Sequence, residues 1–200
     1  MQSSSLLGTG ESRMLAKGAV VTAEDGTQYT VGDLLGHGGQ GEVYRISGFD
    51  GDFALKWYYS DTGSRYLNRI NSEAFRKNLE KNVHDGVPTT TAGSQASQFI
   101  WPLKMVPPQG NGKSFGYIMN LYKPGYYKFS EIIMGMHKGQ PLHMKSWNML
   151  VTAALNIVRG FEILHAKGLS YQDLNEGGVF INPETGDVMI CDCDNVSPTG

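Results

Sequence analysis

Residues 34–46 read LLGHGGQGEVYRI, with glycines at Gly36, Gly38, Gly39 and Gly41. A G-x-G-x-x-G spacing lets the backbone approach a phosphate closely, but several architectures use it, and the flanking sequence decides among them. In a dinucleotide site the glycine turn joins a strand to a helix, whose N-terminus meets the pyrophosphate. Here an alternating segment, EVYRI at 42–46, follows the glycines, and no helical pattern begins for about 18 residues. A P-loop fits no better. GNGKS at 110–114 has the right tail, yet Pro107 stands where the first glycine belongs and a strand pattern follows. That second segment reads as a hairpin turn.

The bulk properties narrow the function classes. Two hundred residues suffice to bury a core in one domain or two small lobes. A net charge of −2, with 17 basic residues spread along the chain, leaves no electrostatic footprint for nucleic acid. No uninterrupted apolar run approaches the ~18 residues of a membrane span, so no membrane partner is expected. The opening MQSSSLLGTGES lacks a basic n-region and an apolar h-region, and residues 1–17 read as a disordered leader. The two cysteines, Cys191 and Cys193, are too close together to staple a fold, so a cytoplasmic, reducing setting is expected.

Outward from the glycines, Ala19 to Val31 carries β-branched and aromatic residues on both sides of Asp25–Gly26, a hairpin signal. FALKWYY (53–59), FIWPLKMV (99–106) and FGYIMNLY (115–122) are further strand patterns. SRYLNRINSEAFRKNLEKNV (64–83) has helical spacing, with Leu67, Ile70 and Ala74 on one stripe, Phe75, Leu79 and Val83 on the next, and Thr62 or Ser64 as a cap. After Lys123 the composition turns helical. A short helix opens at Ser130, and a long one covers 145–168, with Trp147, Leu150, Val151, Ala154, Leu155, Val158, Phe161 and Leu164 on an apolar face. Short strands VFI and VMIC close the chain around the turn NPETGD.

A glycine loop between antiparallel strands, then FALK on the next strand, resembles the nucleotide lobe of a protein kinase, G-x-G-x-x-G-x-V followed by V-A-I-K. The second half of the resemblance is LHAKGLSYQDLNEGGVFINPETGDVMICDCDNV, set against H-R-D-L-x-x-x-N and D-F-G. The blocks occur in order across residues 18–197. The resemblance implies an α+β, protein-kinase-like fold: a five-stranded antiparallel N-lobe with one helix and a hinge over 18–122, then the first, mainly helical part of a C-lobe over 123–200.

It further implies ATP and Mg²⁺ as cofactors. Gly36, Gly38, Gly39 and Gly41 would cover the phosphates, Val43 and Ala54 the adenine from above, and Phe180 from below. Met119 would stand behind the base, and the Asn120 to Tyr122 backbone would bond it. Lys56 would hold the α and β phosphates, oriented by a helix carboxylate. Glu73 and Glu80 are the candidates, two turns apart on one face. Glu73 is preferred for its place near the middle of the predicted helix, because Glu80 lies in the last turn, where the helix dipole disfavours it. Asp173 matches the catalytic base and Asp192 the Mg²⁺-holding aspartate.

Four departures from the pattern carry information. Tyr171 replaces the histidine, and Gln172 replaces the arginine that meets a phosphorylated activation loop. DCD replaces D-F-G, a D-x-D-N-V form that resembles a bacterial kinase-like offshoot. Its extra carboxylate, Asp194, is either a metal ligand or a cap on the following turn. Gly178 stands where an asparagine would hold the second Mg²⁺, with Asn175 the nearby substitute. The sequence ends at Gly200, before the activation segment and A-P-E element, which suits either a fragment or a reduced module. The expected function is phosphoryl transfer from Mg·ATP to a Ser/Thr-type hydroxyl of a protein partner. The alternative is a pseudokinase that binds nucleotide or a partner without transfer. The long helix, uncovered by further C-lobe elements, is expected to offer an association face.

Overall fold

Alternating apolar residues on either side of the glycine run pair as antiparallel strands. The computed structural model of the chain describes residues 13–60, 69–90, 92–94, 96–175 and 177–199. Strands β1 (Val20–Thr22), β2 (Gln28–His37), β3 (Gly41–Gly48) and β4 (Gly51–Tyr58) succeed one another, and β5 (Pro102–Val106) and β6 (Gly116–Met119) complete the sheet. Its order is β1-β2-β3-β4-β6-β5, antiparallel throughout. It has six strands where the sequence led to five. The addition is β1, a three-residue edge strand that pairs Val20 with Thr30 across the Asp25–Gly26 turn. Gly26, at φ +83, supplies the left-handed residue this turn requires.

Period-two alternation gives β4 two different faces. Leu55 and Trp57 pack with Val31, Tyr44, Ile46 and Ile118 on one side. Ala54 and Tyr58 pack with Phe75, Tyr117 and Met119 on the other. Lys56 belongs to this second face, which is the one that meets the rest of the chain. At the far end of the glycine run, Gly41 is indispensable to the ladder, because a Cβ there would stand 2.1 Å from the Trp57 carbonyl oxygen.

Residues 14–17, which the sequence assigned to the leader, are bonded to this sheet. Met14 N–H donates to Glu42 Oε2 and Leu15 N–H to Tyr44 Oη, at 2.9 and 3.0 Å. Residues 1–12 of that leader lie outside the described residues, as do Thr62, Ser64 and Leu67. Helix α1 spans Glu73–Asp85, and residues 69–70 just before it are also helical. A turn at Asn71–Ser72 intervenes, and Ser72 is the N-cap, its Oγ accepting from Phe75 N–H at 3.2 Å. Phe75, Leu79 and Asn82 face the core.

The remainder begins with β7 (Tyr127–Lys128), α2 (Phe129–Met134) and the small hairpin β8 (Met136–His137) and β9 (Gln140–Pro141). Helix α3 (Trp147–Ala166) follows, capped by Ser146, and then β10 (Leu169–Tyr171), β11 (Val179–Ile181), β12 (Val188–Ile190) and β13 (Val196–Pro198). Gly160 lets α3 press onto β12: a Cβ there would approach Ile190 Cδ1 to 2.5 Å. The predicted apolar face of α3 divides. Leu164 is buried and Phe161 stacks edge-on against Tyr171, whereas Trp147, Val151, Leu155 and Val158 are exposed. By length and composition alone α3 is apolar enough to cross a membrane, although no uninterrupted apolar run in it reaches that length. Polar residues such as Asn148, Thr152 and Asn156 interrupt that run, and the buried residues Ala153, Gly160 and Leu164 define its packed face.

The two halves are stitched together beside β12. Ile190 N–H donates to the Gln98 carbonyl (2.6 Å), and Ile100 N–H to the Ile190 carbonyl (2.8 Å). One apolar cluster also crosses the junction, joining Ala54, Tyr117 and Met119 of the sheet to Met189 and Cys191.

Candidate active site

The ladder of the sheet aligns the residues that the sequence singled out. Gly36 pairs with Val43, Val43 with Lys56, and Ala54 with Met119. Gly38 N–H closes the loop tip on the Gly41 carbonyl at 2.9 Å. A Cβ on Gly36 or Gly38 would meet nothing within 4 Å, and Gly39 is exposed, so this loop leaves open space above the junction. Below it, Val43, Ala54, Met119 and Phe180 belong to one apolar cluster, with Leu121 packed among them. Tyr122 tilts against Phe180, ring centroids 4.8 Å apart, and Asn120 is exposed. The four side chains expected around an adenine are therefore brought together from four separate segments.

Lys56 is buried and its ammonium is shared by two carboxylates. Nζ stands 2.9 Å from Asp194 Oδ2 and 3.1 Å from Asp192 Oδ1. Asp192 adopts a left-handed conformation (φ 51, ψ 39), and a short 3₁₀ turn at Cys193–Asn195 follows, bringing both acids onto one lysine. Asp194 is fully buried and also accepts from the Tyr58 and Tyr117 hydroxyls. Burial works to lower the Lys56 pKa, but the charge of Asp194, then that of Asp192, outweighs it and holds the ammonium protonated. Burial first, then Asp194, pushes both tyrosines well above their ordinary range, so they remain donors. A buried ion pair survives only when its remaining lone pairs are satisfied, and these hydroxyls do that.

Asp194 thus corrects both sequence readings of that residue: it neither caps the turn nor stands open to a metal. Glu73 and Glu80 are corrected too. They share a face of α1, as their spacing requires, but it is the face turned away from Phe75, Leu79 and Asn82. Glu73 sits in the first turn, paired with Lys77 at 2.7 Å and 81% exposed; Glu80 is exposed as well. On the inner side α1 presents amides instead. Asn78 and Asn82 both donate to the Val196 carbonyl, at 2.7 and 2.8 Å.

Strands β10 and β13 pair antiparallel, and Gln172 N–H donates to the Asn195 carbonyl at 2.9 Å. This ladder fixes the segment bearing Asp173 beside the segment bearing Asp192. Asn175 is engaged locally, Oδ1 accepting from Gly177 N–H (2.9 Å) and Nδ2 donating to the Asp173 carbonyl (3.1 Å). The partly exposed Asp192 carboxylate is a hard oxygen ligand of the kind that Mg²⁺ takes. Among the described residues, no group of three His, Cys, Asp or Glu side chains forms a ready-made cage.

Tyr171 and Gly178 are departures of one kind. The Tyr171 hydroxyl donates to the Cys191 carbonyl at 2.6 Å, and a Cβ on residue 178 would lie 2.7 Å from that oxygen. A longer aromatic at 171 therefore occupies the space that a side chain at 178 would need. The cysteines are buried and free, and burial first of all pushes the Cys191 thiol up to about 12.

Tyr58 and Tyr117 escaped the reading of the sequence. The signal was available in part: Tyr58 lies two residues after Lys56 on the same strand, and so on its face. Tyr117 stands opposite Lys56 in the β4–β6 register, which only the pairing reveals.

No protein-family model matches the sequence. Protein kinase YegI of Escherichia coli K12 is 25% identical over 171 residues, 85% of this chain and 24% of its own. Among solved structures, vaccinia related kinase 3 superposes with a TM-score of 0.59 at 15% identity, over 94% of this chain and 53% of its own. The Mycobacterium tuberculosis PknI kinase domain gives 0.56 at 17% identity, over 92% and 64%. The ROP18 kinase domain, solved in complex with AMP-PNP and sucrose, gives 0.58 at 14% identity, over 90% and 55%. The chain thus spans about a quarter of the curated relative and less than two thirds of these solved domains.

Proposed function

On the premise that this chain is a protein-kinase-like domain, we propose that it binds Mg·ATP and transfers a phosphoryl group to a Ser/Thr-type hydroxyl of a protein substrate. The observation that carries this reading is the pairing of Lys56 with Asp192 beside the apolar slot of Val43, Ala54, Met119 and Phe180. Lys56 would take the α and β phosphates, the open glycine loop would lie over them, and Asp192 would hold the metal. Mg²⁺ supplies charge neutralisation on the phosphates. Asp173 would accept the hydroxyl proton. The two free, buried cysteines accord with a cytoplasmic setting.

A second reading, nucleotide binding without transfer, draws on one observation: the place of the second metal-binding side chain is filled by the Tyr171 hydroxyl. Thermal shift separates nucleotide binding from its absence. ATP with Mg²⁺ should raise the melting temperature, and Lys56→Ala should abolish the rise; no rise in the wild-type protein rejects both readings. Radiolabel transfer from γ-labelled ATP that vanishes in Asp173→Ala supports the transferase. A thermal shift without turnover supports the second reading.

A further inference from the structure

We propose that Asp194, held by Tyr58 and Tyr117, is the positioning residue that sets Lys56 for nucleotide phosphates, in the place where the family resemblance implies a helix glutamate. The inference rests on the nucleotide-binding reading above and adds to it the means by which the lysine is fixed.

Three observations support it. First, the geometry is complete without α1. Asp194 Oδ2 receives Lys56 Nζ at 2.9 Å and the Tyr58 hydroxyl, while Oδ1 receives the Tyr117 hydroxyl at 3.2 Å. Both oxygens are engaged, and the carboxylate is fully buried. Second, the donors are built into the sheet. Tyr58 shares a strand and a face with Lys56, and Tyr117 stands directly across the ladder from it. The lysine and both hydroxyls are therefore fixed by one hydrogen-bonded frame, and the acid enters from the D-x-D-N-V segment. Third, α1 has no carboxylate to offer on its inner side. Phe75, Asn78, Leu79 and Asn82 occupy it, and the two asparagines bind the helix to Val196.

The two acids on Lys56 then divide their work. Asp192, the more exposed, remains able to turn an oxygen to a metal, whereas Asp194 keeps the ammonium in place when it does. A lysine held in this way does not depend on α1 swinging a glutamate inward. The position of α1 is thereby uncoupled from the charge that binds phosphate.

The test is equilibrium titration of the full chain with a fluorescent ATP analogue, in EDTA and again in Mg²⁺. Asp194→Asn is expected to weaken binding about tenfold or more in both buffers, because the effect runs through Lys56 and not through a metal. Glu73→Gln and Glu80→Gln should stay within about twofold of wild type. In a Lys56→Met background, Asp194→Asn should add no more than about twofold, a convergence that general loosening of the fold would not produce. Tyr58→Phe, which keeps the ring and removes one hydroxyl, should cost about threefold. It decides the matter if Asp194→Asn does not fold or Lys56→Met leaves no measurable binding. Wild-type binding with Asp194→Asn or Tyr58→Phe unchanged overturns the role of Asp194 alone. So does a loss confined to Mg²⁺, one that persists in full beside Lys56→Met, or an equal loss in Glu73→Gln. No wild-type binding in either buffer overturns the nucleotide reading together with this one.

Discussion

Gly178→Ala should destabilise the protein severely for so small a change, and Tyr171→Phe should relieve it. An added Cβ would lie 2.7 Å from Tyr171 Oη but 3.5 Å from Cζ, so the clash belongs to the hydroxyl alone. That oxygen has no easy retreat, because it donates to the Cys191 carbonyl at 2.6 Å and Cys191 is buried. Forcing a methyl into a packed site costs about 1–3 kcal/mol. Displacing the hydroxyl strands the carbonyl for about 1–3 kcal/mol more. A combined loss near 3 kcal/mol corresponds to a melting temperature lower by roughly 6–12 °C for a domain of this size. In Tyr171→Phe the nearest atom becomes a ring carbon in ordinary contact, and Gly178→Ala should then cost about 1 kcal/mol or less. Urea melts of the four proteins close the cycle, with an expected coupling of about 2 kcal/mol. Additivity within about 0.5 kcal/mol would show that the two residues do not share the space, and would refute the reasoning. By the same clash, Gly178→Asn alone should destabilise the fold, and a side chain at 178 should be tolerated only beside a smaller one at 171.

The remaining glycines separate geometry from function. Gly41→Ala would drive a Cβ to 2.1 Å from the Trp57 carbonyl and should cost several kcal/mol in a denaturant melt, about 3 or more. Gly38→Ala meets nothing and should leave the urea midpoint unchanged, within about 0.5 kcal/mol. Asp25 offers a pH test: its bond from the Thr27 amide, then Lys104, holds its pKa down to about 2. A folded pKa below the unfolded ~3.9 means that the contribution is full above about pH 4 and is lost as pH falls toward 2. At 44% exposure it is worth under about 1 kcal/mol, so Asp25→Ala should trail wild type slightly at pH 6, and the gap should narrow by pH 2. Finally, Leu155→Ser, on the uncovered side of α3, should shift stability by no more than about 0.5 kcal/mol, which calorimetry of the isolated chain will measure.

Legibility varied with the kind of information each feature needs. The glycine loop, Lys56 and the D-x-D-N-V segment are local in sequence, and their order alone pointed to a protein-kinase-like fold. The strands were visible through alternation, and β1 was read as the first arm of the Asp25–Gly26 hairpin although the count of five left it out. The break at Asn71–Ser72 within the predicted helix was missed because the apolar periodicity reads as continuous across it. The uncovered face of the long helix was expected from the family pattern, and Trp147 lies on it. Amphipathicity alone marks an apolar face but not what covers it, so the packing of Phe161 on Tyr171 was not legible.

What the amino-acid sequence determined by itself was the inventory and its order: glycines between strands, a lysine on the next, aspartates after the long helix. Those relations depend on spacing along one chain, and spacing is what a sequence contains. Which acid holds Lys56 was decided only by tertiary structure. Glu73 and Glu80 share a face, as helical geometry demands, but the rotation of α1 about its axis is set by burying Phe75 and Leu79, and that turns both acids outward. Asp194 reaches the lysine from 138 residues away through a left-handed residue and a short turn. The Tyr171 hydroxyl likewise fills the space beside Gly178 only because β11 and β12 pair and Tyr171 reaches across to the Cys191 carbonyl. Charge pairing and packing are properties of proximity, and folding, not sequence distance, sets proximity.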